Sequence, residues 1–174
     1  QRAGCQDGHC PAAHQRVVTM RDIFVRAMAF VAEWEGIYSD DAGDRGGPTY
    51  MGISSRYWPK EFAEIMSLPY ADRKQYAINF YRKHFWDAVA GDTLPTPLDM
   101  VMFDSAVNCG VRRALAWMSE YGTDWRDVLM ARIRHYCTLA RDPTQRQFLR
   151  GWLNRVVALW TACRGVEPHN REDA

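Results

Sequence analysis

An all-α, or mainly α, chain interrupted by one small irregular or short-stranded lobe is the fold class that the sequence predicts. Three observations carry it. Apolar residues recur at helical spacing in segment after segment between Arg21 and Cys163. Residues 37–53 contain Gly43, Gly46, Gly47 and Pro48 beside Asp40, Asp41 and Asp44, and cannot be helix. Outside that stretch no convincing strand alternation appears.

The first helix starts near Arg21. Phe24, Met28, Val31 and Glu35 share one stripe, widened by Ile23, Ala27 and Trp34. Thr19 followed by Asp22 resembles a capping box, and Gly36 is a natural C-cap. The same phase sends Asp22, Arg26 and Glu33 to the solvated face, so Glu35 and not Glu33 points toward the apolar side. Residues 37–53 read as turns with two or three very short strands. Residues 54–66 suggest one or two short helices interrupted by Pro59. About 70–86 forms a helix carrying Tyr76, Phe80, Tyr81 and Trp86, and Gly91 to Pro97 is a loop. Leu98 to Asn108 is apolar almost all round and predicts a helix threaded through the core. Helices over 111–121 and 124–140 follow, the latter with a stripe of Leu129, Ile133, Tyr136 and Ala140. Pro143 sits at a helix start, and Leu149, Trp152, Val156, Trp160 and Cys163 line the last helix.

Length and composition bound what such a chain can do. With 174 residues, 47% hydrophobic and 25% charged, one domain with a sizeable core is expected. The domain spans 20–165, between a flexible extension at 1–19 and a polar tail at 166–174. A formal net charge of +1 argues against nucleic acid as a partner, and no apolar run is long enough for membrane insertion. Five cysteines show no metal-type spacing. Cys5 and Cys10 could pair locally, while Cys109, Cys137 and Cys163 fall in helical patterns and read as small buried hydrophobes. The five histidines are scattered, no Walker pattern follows Gly46-Gly47, and Ser54-Ser55 has no nucleophile-elbow context. No metal or cofactor is expected.

The carboxylates of the irregular lobe suit acid-base work on a glycosidic bond, which needs a protonated carboxyl group beside the leaving oxygen. Glu35 leans toward apolar neighbours and sits at the negative end of a helix dipole; both penalise its anion. Asp40, Asp41 and Asp44 lie in a Gly-rich turn where water and backbone N–H groups can keep them charged. Eight residues separate Glu35 from Asp44 and four separate Asp44 from Thr49. A turn of that length can fold back over the helix end and place a carboxylate and a hydroxyl opposite the acid. Asp44 reads either as that second carboxylate or as a turn residue capping its own backbone. Thr49 reads either as a holder of the attacking water or as a structural hydroxyl.

Glu35-Gly-Ile-Tyr38, Asp44-Arg-Gly-Gly-Pro-Thr49 and Gly52-Ile53 resemble the signature of glycoside hydrolase family 108, the N-acetylmuramidases of phage-type lysozymes and secretion activator proteins. Further motifs follow in the family's order: Phe80-Tyr-Arg-Lys-His-Phe-Trp86, Phe103-Asp-Ser-Ala-Val-Asn108 and Phe148-Leu-Arg-Gly-Trp-Leu-Asn-Arg155. The resemblance implies a lysozyme-like fold with a catalytic lobe over 20–90 and a helical, peptidoglycan-binding part over 91–165. It implies cleavage of the β-1,4 bond between N-acetylmuramic acid and N-acetylglucosamine in peptidoglycan strands, with Glu35 as proton donor and Asp44 and Thr49 beside it. Lytic transglycosylase chemistry, or a non-catalytic peptidoglycan-binding or secretion-assisting module, are the alternatives. The chain departs from the family at Ile37, where Gly is usual, and at Tyr50, where Asn is common. Tyr38, Tyr50, Trp86, Trp152 and Asn108 are candidate substrate contacts, the aromatics weighed against core packing and Asn108 against a structural role with Asp104. A monomer suffices for this task. The sequence shows no signal peptide, so synthesis in the cytoplasm and access to the cell wall through export or a holin-type pore are expected.

Overall fold

In the computed structural model, residues 20–36, 38–39 and 47–166 are described. The first helix, α1 (Met20–Glu35), ends where Gly36 takes φ +67°, the left-handed turn that stops a helix at a glycine. Three two-residue strands follow: β1 (Tyr38–Ser39), β2 (Thr49–Tyr50) and β3 (Ile53–Ser54). They form an antiparallel sheet in the order β1-β2-β3, with Tyr50 opposite both Tyr38 and Ile53. The rest is helical: α2 (Pro59–Ser67), α3 (Tyr70–Tyr81), α4 (Leu98–Cys109), α5 (Val111–Tyr121), α6 (Trp125–Leu139), the short α7 (Pro143–Arg146) and α8 (Leu149–Cys163). This is the mainly α, lysozyme-like fold with a minor strand lobe. None of its described helices is long and apolar enough to cross a membrane.

The helix α4 is the hub. Every residue from Leu98 to Ala106 is buried, as its all-round apolar sequence requires. It packs against α1, α5 and α6. Phe103 on α4, Phe24 on α1 and Trp86 meet edge-on, with ring centroids 5.3 to 5.8 Å apart. The Arg82 guanidinium lies over Phe24, and the Trp86 indole donates to Asp92 at 3.0 Å. A Cβ at Gly91 would fall 2.5 Å from the Trp86 ring, so only glycine lets the chain pass there.

Several sequence expectations are refined by packing. Pro59 begins α2 at the first helical position and interrupts nothing, since a first-turn residue needs no N–H partner. The expected helix over 70–86 holds, but beyond Tyr81 it widens into a π-turn, Arg82–Trp86. Of the three cysteines expected to be buried, only Cys163 is. Cys109 is half-buried, and Cys137 is exposed because it lies one position past Tyr136, off the packed stripe. Cys5, Cys10, Thr19, the extension assigned to 1–19 and, of the tail assigned to 166–174, residues 167–174 lie outside the described residues.

Candidate active site

The last residue of α1 is held from three directions. The first is the β2–β3 turn. Tyr50 pairs with Ile53, leaving Met51 and Gly52 as a two-residue loop in which both φ angles are positive, 47° and 77°. Such loops match the twist of a tight hairpin, and glycine is the residue they favour. A Cβ on Gly52 would stand 2.6 Å from Glu35 Oε2 and 2.4 Å from the Tyr81 hydroxyl. The turn therefore lies with bare backbone against the carboxyl group, and the lobe and α1 meet at Gly52.

The second direction is α3. Tyr81 is buried and donates its hydroxyl to Met51 O at 2.6 Å, which fixes the hairpin loop in its left-handed shape. Burial, and then the neighbouring Glu35 charge, hold the phenol far above its ordinary pKa, so it remains a neutral donor.

The third is α8. Arg155 Nη1 donates to Glu35 Oε1 at 2.8 Å, while Nη2 and Nε donate to Asp104 Oδ1 at 2.7 and 3.0 Å. Asp104 Oδ2 in turn accepts from Arg132 Nη1 at 2.5 Å, and Arg132 Nε donates to the Tyr136 hydroxyl at 2.6 Å. The Tyr136 hydroxyl completes the chain by donating to Asn108 Oδ1. Glu35, Arg155, Asp104, Arg132, Tyr136 and Asn108 thus form one continuous polar line through α1, α8, α4 and α6. Burial by itself would raise the Asp104 carboxyl, but the two arginines outweigh it and hold it below the usual carboxylate range. Both guanidiniums, despite burial, are held firmly charged by the carboxylates beside them.

The Glu35 side chain keeps 21% of its surface exposed, whereas Arg155 and Asp104 keep 6% and 1%. The carboxyl group is reachable and its supports are not. Trp34, 37% exposed, lies beside Arg155 with the guanidinium 5.9 Å from its ring. The surroundings of Glu35 differ from the apolar ones expected: Val31 is buried on the same helix face, but an arginine from a distant helix occupies one carboxyl oxygen. Glu33 is exposed, as the helix phase requires.

Other candidate residues are spread more widely. Thr49 is half-buried in β2, on the strand next to the Gly52 turn. Asn108 is exposed at the end of α4, with its carbonyl oxygen toward Tyr136 and Cys109. Trp86 is fully buried among Phe24 and Phe103, and Tyr50 is 4% exposed; neither presents a face to a sugar, because the core takes both rings. Trp152 is half-buried and stacks on Tyr136 at 5.0 Å. Tyr38 contributes backbone pairing in β1; its side chain, Ile37 and Asp44 lie outside the described residues.

Arg132, Arg155 and Tyr81 carry no site role in the sequence reading. The signal for the arginines was present: both fall on the apolar stripes of their helices, Arg132 between Leu129 and Tyr136 and Arg155 beside Val156. A charge on a buried stripe demands a partner of opposite sign, and Asp104 on the apolar α4 is that partner.

A cavity of about 640 Å³ lies elsewhere, between Pro95–Leu98, Thr123–Arg126 and Cys163–Val166. Its lining carboxylate, Asp124, caps α6 by accepting from Arg126 N, and no residue of the Glu35 line borders it.

A reachable carboxyl group is thus held where the strand lobe meets the lysozyme-like helical body. Residues 28–110 match the family described as glycosyl hydrolase 108, which supports a peptidoglycan-acting glycoside hydrolase in general terms. Among solved structures, that of Brucella abortus SagA is similar, with 27% sequence identity and a TM-score of 0.66 over 83% of this chain and 95% of that one. No curated protein matches the sequence.

Proposed function

We propose that this chain is an N-acetylmuramidase that cleaves the β-1,4 bond between N-acetylmuramic acid and N-acetylglucosamine. The observation that carries the reading is Glu35 itself. Among the described residues, it is the one carboxylate of the junction that is both held by its neighbours and exposed. In this reading Glu35 protonates the leaving oxygen, and Asp44 and Thr49 orient the attacking water. The glycan strand runs past the end of α1, with Tyr38, Trp152 and the exposed Asn108 as its contacts. Trp86 and Tyr50 are assigned to packing instead. The enzyme acts as a monomer on the cell wall, reached by export or through a holin-type pore.

Glu35→Gln keeps the shape of the side chain and removes the proton. Purified variant should lose at least about 100-fold in the rate of turbidity loss of bare peptidoglycan, since general acid catalysis contributes on that order. Wild-type-like clearing by the variant would sink the assignment. Mass spectrometry of the released muropeptides decides between the two cleavage chemistries: reducing muramic ends mark a hydrolase and anhydro-muramic ends a transglycosylase. Binding to peptidoglycan with no release of either would mark a non-catalytic module.

A further inference from the structure

We infer that Arg155 is a positioning residue for the acid: it binds Oε1 of Glu35 so that the proton is carried and delivered on Oε2. The inference rests on the muramidase reading and adds to it a division of labour within the carboxyl group. It also adds a role for α8, which lies beyond the family segment 28–110.

Three observations converge. Arg155 Nη1 donates to Oε1 at 2.8 Å, and an oxygen that accepts from a guanidinium is the poorer place for an acidic proton. Oε2 faces the Gly52 turn, where the missing Cβ leaves the space that any other residue would fill. Arg155 is itself immobilised, because Nη2 and Nε both bind Asp104 Oδ1 and Arg132 holds the other oxygen of Asp104. A side chain nearly free of solvent and fixed by three hydrogen bonds is a rigid clamp and not a surface ion pair. The part of the chain that the resemblance assigns to wall binding therefore completes the catalytic junction: α4 and α8 hold the clamp that α1 uses.

Among the described residues, the charged and titratable groups facing Glu35 are Arg155 from α8, with Asp104 of α4 behind it, and Tyr81 from α3. Among these Arg155 is the nearest cation.

The test compares wild type, Arg155→Met and Arg155→Lys on purified peptidoglycan, following reducing-end release against substrate concentration, with helical circular dichroism and a thermal melt for each protein. Arg155→Met should lower kcat about 10- to 100-fold with KM within about 3-fold, the loss expected when a catalytic group loses its aim. Arg155→Lys keeps the charge but not the planar fork that spans both carboxylates, so kcat should fall with KM again within about 3-fold. Wild-type kcat in either folded variant, or a loss in Arg155→Met that lies in KM and not in kcat, overturns the inference. If Arg155→Met does not fold, the kcat of Arg155→Lys decides alone. A wild-type protein that releases no reducing ends would instead defeat the muramidase reading, and this inference with it.

Discussion

Glu35 and Gly52 work as a pair, seventeen positions apart in the chain and in contact across the junction. The glutamate is legible in the sequence because the phase of α1 separates it from Glu33. The glycine is legible only as part of a turn. Its second duty, leaving room beside Oε2, is a property of two segments meeting. Gly52→Ala tests that duty. It forces a side chain into a left-handed backbone and against a carboxyl oxygen at 2.6 Å. The expected cost is about 1–3 kcal/mol of stability. Activity should fall far more than stability does, to a few per cent or less of wild type by the order of magnitude attached to misplaced catalytic groups. Activity near wild type in a folded Gly52→Ala protein would show that Oε2 needs no such space.

At the scale of elements, α4, α6 and α8 are joined by a buried ionic cluster as well as by apolar packing. Asp104 faces Arg132 and Arg155, each almost without exposure. Breaking such a cluster on one side costs more than the pair contributes as a whole, because the remaining charges stay buried. Asp104→Asn removes the shared anion from between two guanidiniums and should cost about 3–5 kcal/mol in chemical denaturation. That is a large part of the 5–15 kcal/mol typical of a domain. The pH dependence follows from the sign of the shift. The folded-state pKa of Asp104 is lowered, so its contribution is complete above the ordinary carboxylate value of 3.8 and is lost as pH falls below it. Melting temperature against pH should show an acid limb below about pH 4 that Asp104→Asn flattens. The helices themselves could be read from apolar spacing, and Asp104 and Asn108 could be read as a polar pair on an apolar helix. The arginines that answer Asp104 come from segments 28 and 51 positions away, and no local pattern states which cation meets which anion.

Across the whole molecule, stability should also decline mildly on acidification before the carboxylates titrate. His84 and His135 are held below their ordinary value of 6.5, by burial first and then by Lys83 and Arg113 respectively. Their neutral forms are favoured in the folded state, so this contribution is present above about pH 6.5 and fades as pH falls through the folded values. A small loss of melting temperature between pH 7.5 and 5.5, reduced in a His84→Gln, His135→Gln protein, is the expected result. The sequence by itself determined the helical class, nearly every helix, the end of α1 at Glu35 and the outward turn of Glu33, because these depend on periodicity, helix phase and turn chemistry within short windows. Tertiary structure alone decided that Trp86 and Tyr50 belong to the core, that Pro59 opens a helix, and that Arg155 from the last helix clamps an acid at the end of the first. Those outcomes depend on which surfaces meet. Contacts between residues more than a hundred positions apart are fixed by packing and charge pairing in three dimensions, where a local pattern has no reach.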